Sequence, residues 1–225
     1  WEENLPQALV LEPTRELAVQ VSRELFQVGR KKRLKVPAVF GGFPIAKQIR
    51  TLKQKSHIVV GTPGRVMDHL RRGSLCLSTV RFLVIDEADL MLDMGFLEDV
   101  QQILSMLPNH RTTFLFSATL DGRVQELTEA AVSEAVFISM EDEVKAPPAI
   151  EQSVYQVLQE EKYGGFKNIL IKENPDRCMI FCGTREMVNV LFQKLRRDRI
   201  FCGMIHGEME QAERLKHVDA FRRGG

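Results

Sequence analysis

The sequence predicts an α/β protein, a parallel sheet sandwiched between helices. Short apolar runs alternate with amphipathic stretches of helical length almost from end to end, the pattern of successive βα units. The runs are rich in Val, Ile, Leu and Phe and mostly continuous, as in strands covered on both faces.

Ala8–Leu11 is the first such run, and Thr14 supplies a start signal for a helix over 14–30, its hydroxyl being suited to an N-cap. Val36–Phe40 reads as the second strand, followed by a helix over 44–54 with Pro44 near its first turn. Ile58–Val60 and a helix over 64–71 come next, then the strand Phe82–Ile85 and a helix over 96–106. Thr113–Phe116, a helix over 121–132 opened by Asp121, and a strand Ala135–Ile138 complete the series.

The rhythm stops at Glu141-Asp142-Glu143-Val144-Lys145-Ala146-Pro147-Pro148. Consecutive prolines neither continue a helix nor sit inside a ladder, so 141–150 reads as an interdomain linker between a first domain over 1–140 and a second over 151–225. The pattern restarts with strands at Val154–Leu158, Cys178–Cys182 and Phe201–Ile205 and helices near 163–173, 185–197 and 210–222. The expectation is a nearly complete first α/β domain and the first half of a second.

Composition bounds the function. The chain has 225 residues, against roughly 150 for a typical domain, and begins at Trp1; it reads as a piece of something longer. At 44% hydrophobic and 27% charged residues it matches ordinary folded domains rather than disordered chains. The longest apolar runs, such as Phe82–Ile85, fall far short of the roughly 18 residues a membrane span requires. Cys76, Cys178, Cys182 and Cys202 form neither a disulfide framework nor a zinc site and read as thiols of a cytoplasmic protein. His57, His69, His110 and His217 show no metal-ligand spacing. Formal net charge is +1, which gives no hint of a polyanionic partner. The basic segment Arg15–Lys35 reads first as a solvated helix end and second as a binding patch.

The strongest chemical signal is Arg81-Phe82-Leu83-Val84-Ile85-Asp86-Glu87-Ala88-Asp89. In open parallel sheets ligands bind beyond the C-terminal ends of the strands, so Asp86 and Glu87 are expected to project into a cleft. A Mg²⁺–nucleotide site needs a carboxylate to hold the metal, usually through its waters, and a second group to orient the attacking water. Alternatively, the acidic cluster simply caps the next helix. Four further segments lie at strand-to-helix junctions: Pro13-Thr14-Arg15-Glu16-Leu17-Ala18, Gly41-Gly42, Thr62-Pro63-Gly64-Arg65 and Ser117-Ala118-Thr119. There, backbone N–H groups and the positive end of the helix dipole suit phosphate oxygens. Taken singly, each is also ordinary capping and turn chemistry.

Together these strings resemble the DEAD-box ATP-dependent RNA helicases of superfamily 2. Asp86-Glu87-Ala88-Asp89 is similar to motif II, Pro13–Leu17 to motif Ia, Thr62–Arg65 to motif Ib, Ser117-Ala118-Thr119 to motif III, and Met179–Cys182 with Thr184 to motif IV. His206-Gly207 with Gln211 and Arg214 resembles the second-domain RNA-contacting element. The resemblance implies two RecA-like domains that close on ATP and single-stranded RNA and unwind a duplex locally. By that resemblance Asp86 holds Mg²⁺ through water, Glu87 positions the attacking water, and Asp89 with Ser117 and Thr119 couples the nucleotide site to RNA. Pro13, Thr14, Arg15, Gly41, Gly42, Thr62, Pro63, Gly64 and Arg65 then grip the RNA backbone from the first domain, and Thr184, Gly207, Gln211 and Arg214 from the second. Such contacts are independent of base sequence. The phrasing of Trp1–Val21 and Lys53–Arg65 is most similar to a bacterial branch acting on large-subunit ribosomal RNA.

No G-x-x-x-x-G-K-[ST] occurs in the sequence. The resemblance places that phosphate-cradling loop, with the adenine-recognising glutamine motif, upstream of Trp1, and the arginine-finger motif beyond Gly225. The expectation is that the chain by itself is catalytically incomplete, poorly soluble or partly molten. The alternative function is a non-catalytic RNA-binding or regulatory fragment.

Overall fold

The computed structural model describes residues 5–132, 134–139 and 150–224. The chain divides into two compact units, Trp1–Val136 and Phe137–Gly225.

The first unit is built on five strands: β1 (Ala8–Leu11), β2 (Ala38–Val39), β3 (Ile58–Gly61), β4 (Phe82–Ile85) and β5 (Thr112–Leu115). All neighbouring pairs are parallel, in the order β2-β3-β1-β4-β5. The helices are α1 (Arg15–Gly29), α2 (Ile45–Lys53), α3 (Pro63–Arg71), α4 (Ala88–Asp93), α5 (Leu97–Ser105) and α6 (Gly122–Ala131). Strand alternation sends Leu9 and Leu11 to one face of β1 and Val10 to the other. Leu9, Leu11, Val59, Leu83 and Ile85 pack with Val66, Met67, Met91, Val100, Ile103 and Leu127 of the α3–α6 layer. Val10, Val60 and Val36 pack with Ala18, Val21 and Leu25 of α1 on the opposite face. Helices therefore flank the sheet on both sides, as expected of parallel strands between helices, although Phe82 of β4 and Phe114 of β5 stay exposed on the α1 face.

Strand order locates the site. From central β1 the chain crosses to the edge strand β2, returns to β3 between them, and then crosses β1 to β4 and β5 on the other side. The reversal falls between β1 and β4, whose ends Leu11 and Ile85 are in register. A crevice beyond the strand ends opens at such a switch point.

The second unit holds α7 (Lys162–Glu173), α8 (Arg185–Arg197) and α9 (Gln211–Arg222). Asp198 joins the first two: its carboxylate accepts from the Tyr163 hydroxyl at 3.0 Å and pairs with Lys167 at 2.7 Å. Lys194 lies over the Tyr163 ring, 5.0 Å from its centroid.

Several expectations need correction. Ala135–Ile138, Val154–Leu158, Cys178–Cys182 and Phe201–Ile205 form no strand, and Val136, Val154, Phe181 and Phe201 are exposed. Apolar composition marks a run as able to become a strand, but the strand exists only where a neighbour meets its N–H and C=O groups. The second strand shortens to Ala38–Val39 because Pro37 has no N–H to give a ladder. Helix α4 was absent from the expected series because it starts inside the acidic segment that reads as a site. The expected linker, save Ile150, lies outside the described residues.

Candidate active site and nucleic-acid interface

Asp86 and Glu87 follow β4 directly, so the sheet delivers them to the switch-point crevice. The Asp86 N–H donates to Leu11 O at 3.1 Å, extending the β1–β4 ladder one residue beyond the strands. Asp86 Oδ1 accepts from the Glu87 N–H at 2.9 Å. Glu87 has φ 46°, the left-handed conformation, which is costly for a residue with a side chain. The turn is over-determined by its neighbours, since the Ala88 N–H donates to Phe116 O at 2.9 Å. Backbone strain at Glu87 is thus held in place by surrounding bonds at the point where the helix begins.

Asp89 ties this turn to the loop after β5. Its N–H donates to Ser117 Oγ at 3.3 Å, and its Oδ2 accepts from both the N–H and the hydroxyl of Thr119, each at 3.1 Å. Burial alone pushes the Asp89 pKa up, but hydrogen bonds from Leu90, Thr119 and Ser117 outweigh it and hold the carboxyl below its ordinary value. Asp89, Ser117 and Thr119 are thus one connected cluster.

Sequence reasoning missed Glu12. It follows β1 as Asp86 follows β4, and it is buried with both carboxyl oxygens lacking a hydrogen-bond partner. Burial, then the charges of Asp86 and Glu87, push its pKa up to about 8. Glu12 is therefore protonated at neutral pH, against an unfolded value near 4.3. The folded state binds the extra proton, so this stability is full below the unfolded pKa and is lost as pH rises through about 8. Glu12→Gln should raise thermal stability at pH 9 by on the order of 3 kcal/mol and leave it unchanged near pH 4. Melting curves across that range check this; an equal shift at both ends would show that Glu12 does not titrate. The signal was available as a carboxylate closing an apolar strand in register with Asp86.

The other predicted residues of the first unit gather beside this crevice, at the ends of β1, β2 and β3. Thr14 caps α1, its Oγ1 accepting from the Leu17 N–H at 3.3 Å. Arg15 lies against Gly41 and Gly42, so closely that a Cβ on Gly42 would collide with its guanidinium. Gly42 also has φ +71°, a conformation that favours glycine. Thr62 precedes α3, with Pro63 in the first turn, and its N–H donates to Val39 O at 3.1 Å. Gly64 lies beside Asp99 of α5, whose Oδ2 would stand 3.3 Å from an added Cβ. Arg65 donates from Nη1 to Phe43 O at 2.9 Å and pairs with Asp68 at 3.8 Å. Burial lowers the Arg65 pKa, Asp68 opposes that, and Arg15 and Arg72 add to it. Converging cations that disfavour one another are relieved by an anion between them.

A buried polar network behind the glycines also escaped the sequence. Gln48 of α2 donates from Nε2 to Phe40 O at 2.9 Å and Phe43 O at 3.3 Å, while its Oε1 accepts from the Phe40 N–H at 3.2 Å. His69 Nε2 is also 3.2 Å from that oxygen, and Nδ1 is 2.8 Å from Ser74 Oγ. Because Oε1 only accepts, Nε2 carries the proton. Burial, then Arg65, lower the His69 pKa and keep the ring neutral. Gln48 thus fixes the Gly41-Gly42 loop from behind, a role no local pattern announces.

Thr184, Gly207, Gln211 and Arg214 belong to the second unit. Thr184 caps α8, accepting from the Met187 N–H at 3.2 Å. An Arg185–Glu208 ion pair brings the neighbours of Thr184 and Gly207 together. Gln211 is buried at the start of α9, and Arg214 follows one turn later.

Asp86 suits Mg²⁺ in kind, a hard cation that takes oxygen ligands and keeps most of its waters. Among the described residues no cluster of three or more His, Cys, Asp or Glu could hold a metal ion, so the fit is to an ion held mainly by water and phosphate. No described helix is long and apolar enough to cross a membrane.

A carboxylate pair at the switch point of a parallel sheet, beside the Thr14-capped N-terminus of α1 and converging arginines, marks a class: α/β proteins whose strand ends are suited to anionic ligands. Comparison with known proteins gives the family. Residues 1–127 match the DEAD/DEAH box helicase model and 161–225 the helicase conserved C-terminal domain, and the chain belongs to the DEAD/DEAH box helicase family. It is 49% identical to the ATP-dependent RNA helicase DbpA of Bacillus subtilis, over 100% of this chain and 47% of that protein. It is 40% identical to the DEAD-box ATP-dependent RNA helicase CshA of Geobacillus kaustophilus, over 97% of this chain and 47% of that one. The chain thus spans about half the length of the curated relatives it matches. Among solved structures it resembles a DEAD box protein from Methanococcus jannaschii, with TM-score 0.59 and 34% identity over 97% of this chain and 59% of that one.

Proposed function

We infer that the chain carries the hydrolytic carboxylates and the first-domain RNA grip of an ATP-dependent RNA helicase, which couples ATP binding and hydrolysis to local unwinding or remodelling of RNA. The observation that supports this most is spatial. One end of one sheet holds both the Asp86-Glu87 turn and the cationic pair of Arg15 and Arg65 beside Gly42.

Through its waters Asp86 would hold Mg²⁺, which would supply positive charge to offset the negative charge of the ATP phosphates. Glu87 orients the attacking water and accepts its proton. Asp89, bonded to Ser117 and Thr119, links that turn to the loop after β5, so movement at one is felt at the other. Thr14, Arg15, Gly41, Gly42, Thr62, Pro63, Gly64 and Arg65 bind RNA phosphates without reading bases. Thr184, Gly207, Gln211 and Arg214 do the same from a second domain over 151–225, joined to the first over 1–140 by a linker at 141–150. Ribosomal RNA is the proposed target and the cytoplasm the proposed location, both resting on the sequence resemblance.

A chimera in which this chain replaces the matching half of the Bacillus subtilis relative tests the reading. It should separate a short RNA duplex with ATP and fail with a non-hydrolysable analogue. A chimera that binds RNA but neither hydrolyses ATP nor separates strands would favour a non-catalytic RNA-binding role.

A further inference from the structure

The near-neutral net charge conceals a segregation. Between Glu24 and Asp68 the sequence contains no Asp or Glu, yet it carries Arg30, Lys31, Lys32, Arg33, Lys35, Lys47, Arg50, Lys53, Lys55 and Arg65. This stretch builds the end of α1, then β2, α2 and β3, which is one flank of the sheet.

The fold orders these cations along a line. Helix α2 starts just past the Gly41-Gly42 loop and ends at Lys53, a run of about 13 Å for nine residues. Its inner face is Gln48 and Leu52, both buried, while Lys47, Arg50 and Lys53 are exposed at successive i,i+3 positions. At the upper end Lys47 lies over the Phe43 ring, 5.7 Å from its centroid, beside the carbonyl that Arg65 holds. At the lower end the chain reaches Lys55 and His57, and the Lys35 N–H donates to His57 Nδ1 at 2.8 Å. Burial, then Lys55 and Lys35, lower the His57 pKa, so both cations face one ring. From Lys35 the surface continues into the turn Arg30–Lys32, closed by Arg33 in the left-handed conformation, which crowds four exposed cations into one turn.

We propose that this flank is a track for RNA backbone, carrying the strand from the Arg15–Gly42–Arg65 grip down the outer face of α2 to the Arg30–Arg33 turn. This extends the basic segment from a solvated helix end to a binding surface, and it rests on the RNA reading of the grip. Below Phe43 the cations of α2 and of the Arg30–Arg33 turn are exposed and evenly positive, so the track takes phosphates and reads no bases.

The test is equilibrium RNA binding by the 225-residue chain over a salt series. Oligouridylates of about 6 and about 20 nucleotides bracket usual single-strand site sizes. In one variant Lys47, Arg50 and Lys53 become Gln; in a second, Lys31 and Lys32 do. The first should weaken the longer RNA and reduce its log K against log salt slope by about 2, and the second by about 1.4, with the shorter RNA unaffected. Unchanged binding of the longer RNA by both variants, or equal losses for the two lengths, would overturn the track. If the unaltered chain binds the short RNA and only the length effect is missing, the grip survives and the track falls. If it binds neither RNA, both fall.

Discussion

Glu87→Gln in the Bacillus subtilis chimera is expected to lower ATP turnover by about 10²–10⁴-fold, the usual worth of a general base, and to leave RNA affinity unchanged. Gln keeps the size of Glu and can adopt the same left-handed backbone at φ 46°, so the turn between Asp86 and Ala88 survives. What is lost is an anionic oxygen able to hold and deprotonate water. RNA affinity is spared because the grip lies at the ends of β1, β2 and β3, whereas Glu87 follows β4. Phosphate release and RNA anisotropy on the same sample separate the two effects. Turnover equal to that of the unaltered chimera would remove Glu87 from the reaction.

Gly61→Ala should cost about 3 kcal/mol of stability, at the upper end for forcing atoms into a packed interior. A Cβ there would stand 2.5 Å from Val39 Cγ2, 2.7 Å from Val39 O and 2.8 Å from Val66 Cγ2. The carbonyl is the decisive neighbour, because it is backbone and already accepts from the Thr62 N–H at 3.1 Å. Room can be made only by moving β2 from β3 or α3 from the sheet, and both movements displace the grip. Gly61 O also accepts from the Glu12 N–H at 3.0 Å, so β1 feels the change as well. Thermal denaturation should fall by roughly 10 °C, with weaker RNA binding below the transition. An unshifted melt would mean that the strand ends are far softer than their bonding suggests.

Much of the fold was legible because local and tertiary signals agreed. Ala8–Leu11, Ile58–Gly61 and Phe82–Ile85 are apolar runs that became central strands. Thr14 and Asp121 are side chains that do cap the helices they were expected to open. The runs at Val154–Leu158, Cys178–Cys182 and Phe201–Ile205 carry the same composition without becoming strands, since a ladder needs a partner that composition does not supply.

The candidate site divides in the same way. Asp86, Glu87, Arg15 and Arg65 stand out as charged residues at strand-to-helix junctions, where backbone geometry makes them visible. Gln48, His69 and Glu12 do not, because their roles come from burial: Gln48 looks like any polar helix residue until Phe40 and Phe43 present their backbone groups to it. The basic flank was half visible: the Arg15–Lys35 segment stood out as a charge run, but its continuation through Lys47, Arg50, Lys53 and Lys55 did not. Its cations are offset elsewhere in the chain by Asp and Glu, so a net charge of +1 says nothing of where the positive charge sits.

We infer that one sheet end couples phosphate chemistry to RNA through Asp89, Ser117 and Thr119. The most direct test of this coupling is ATP turnover by the chimera with and without single-stranded RNA, for the unaltered protein and for Asp89→Ala. RNA should raise turnover in the unaltered chimera, and Asp89→Ala should abolish this rise while RNA still binds. Turnover indifferent to RNA, or a full rise that persists in Asp89→Ala, would contradict it.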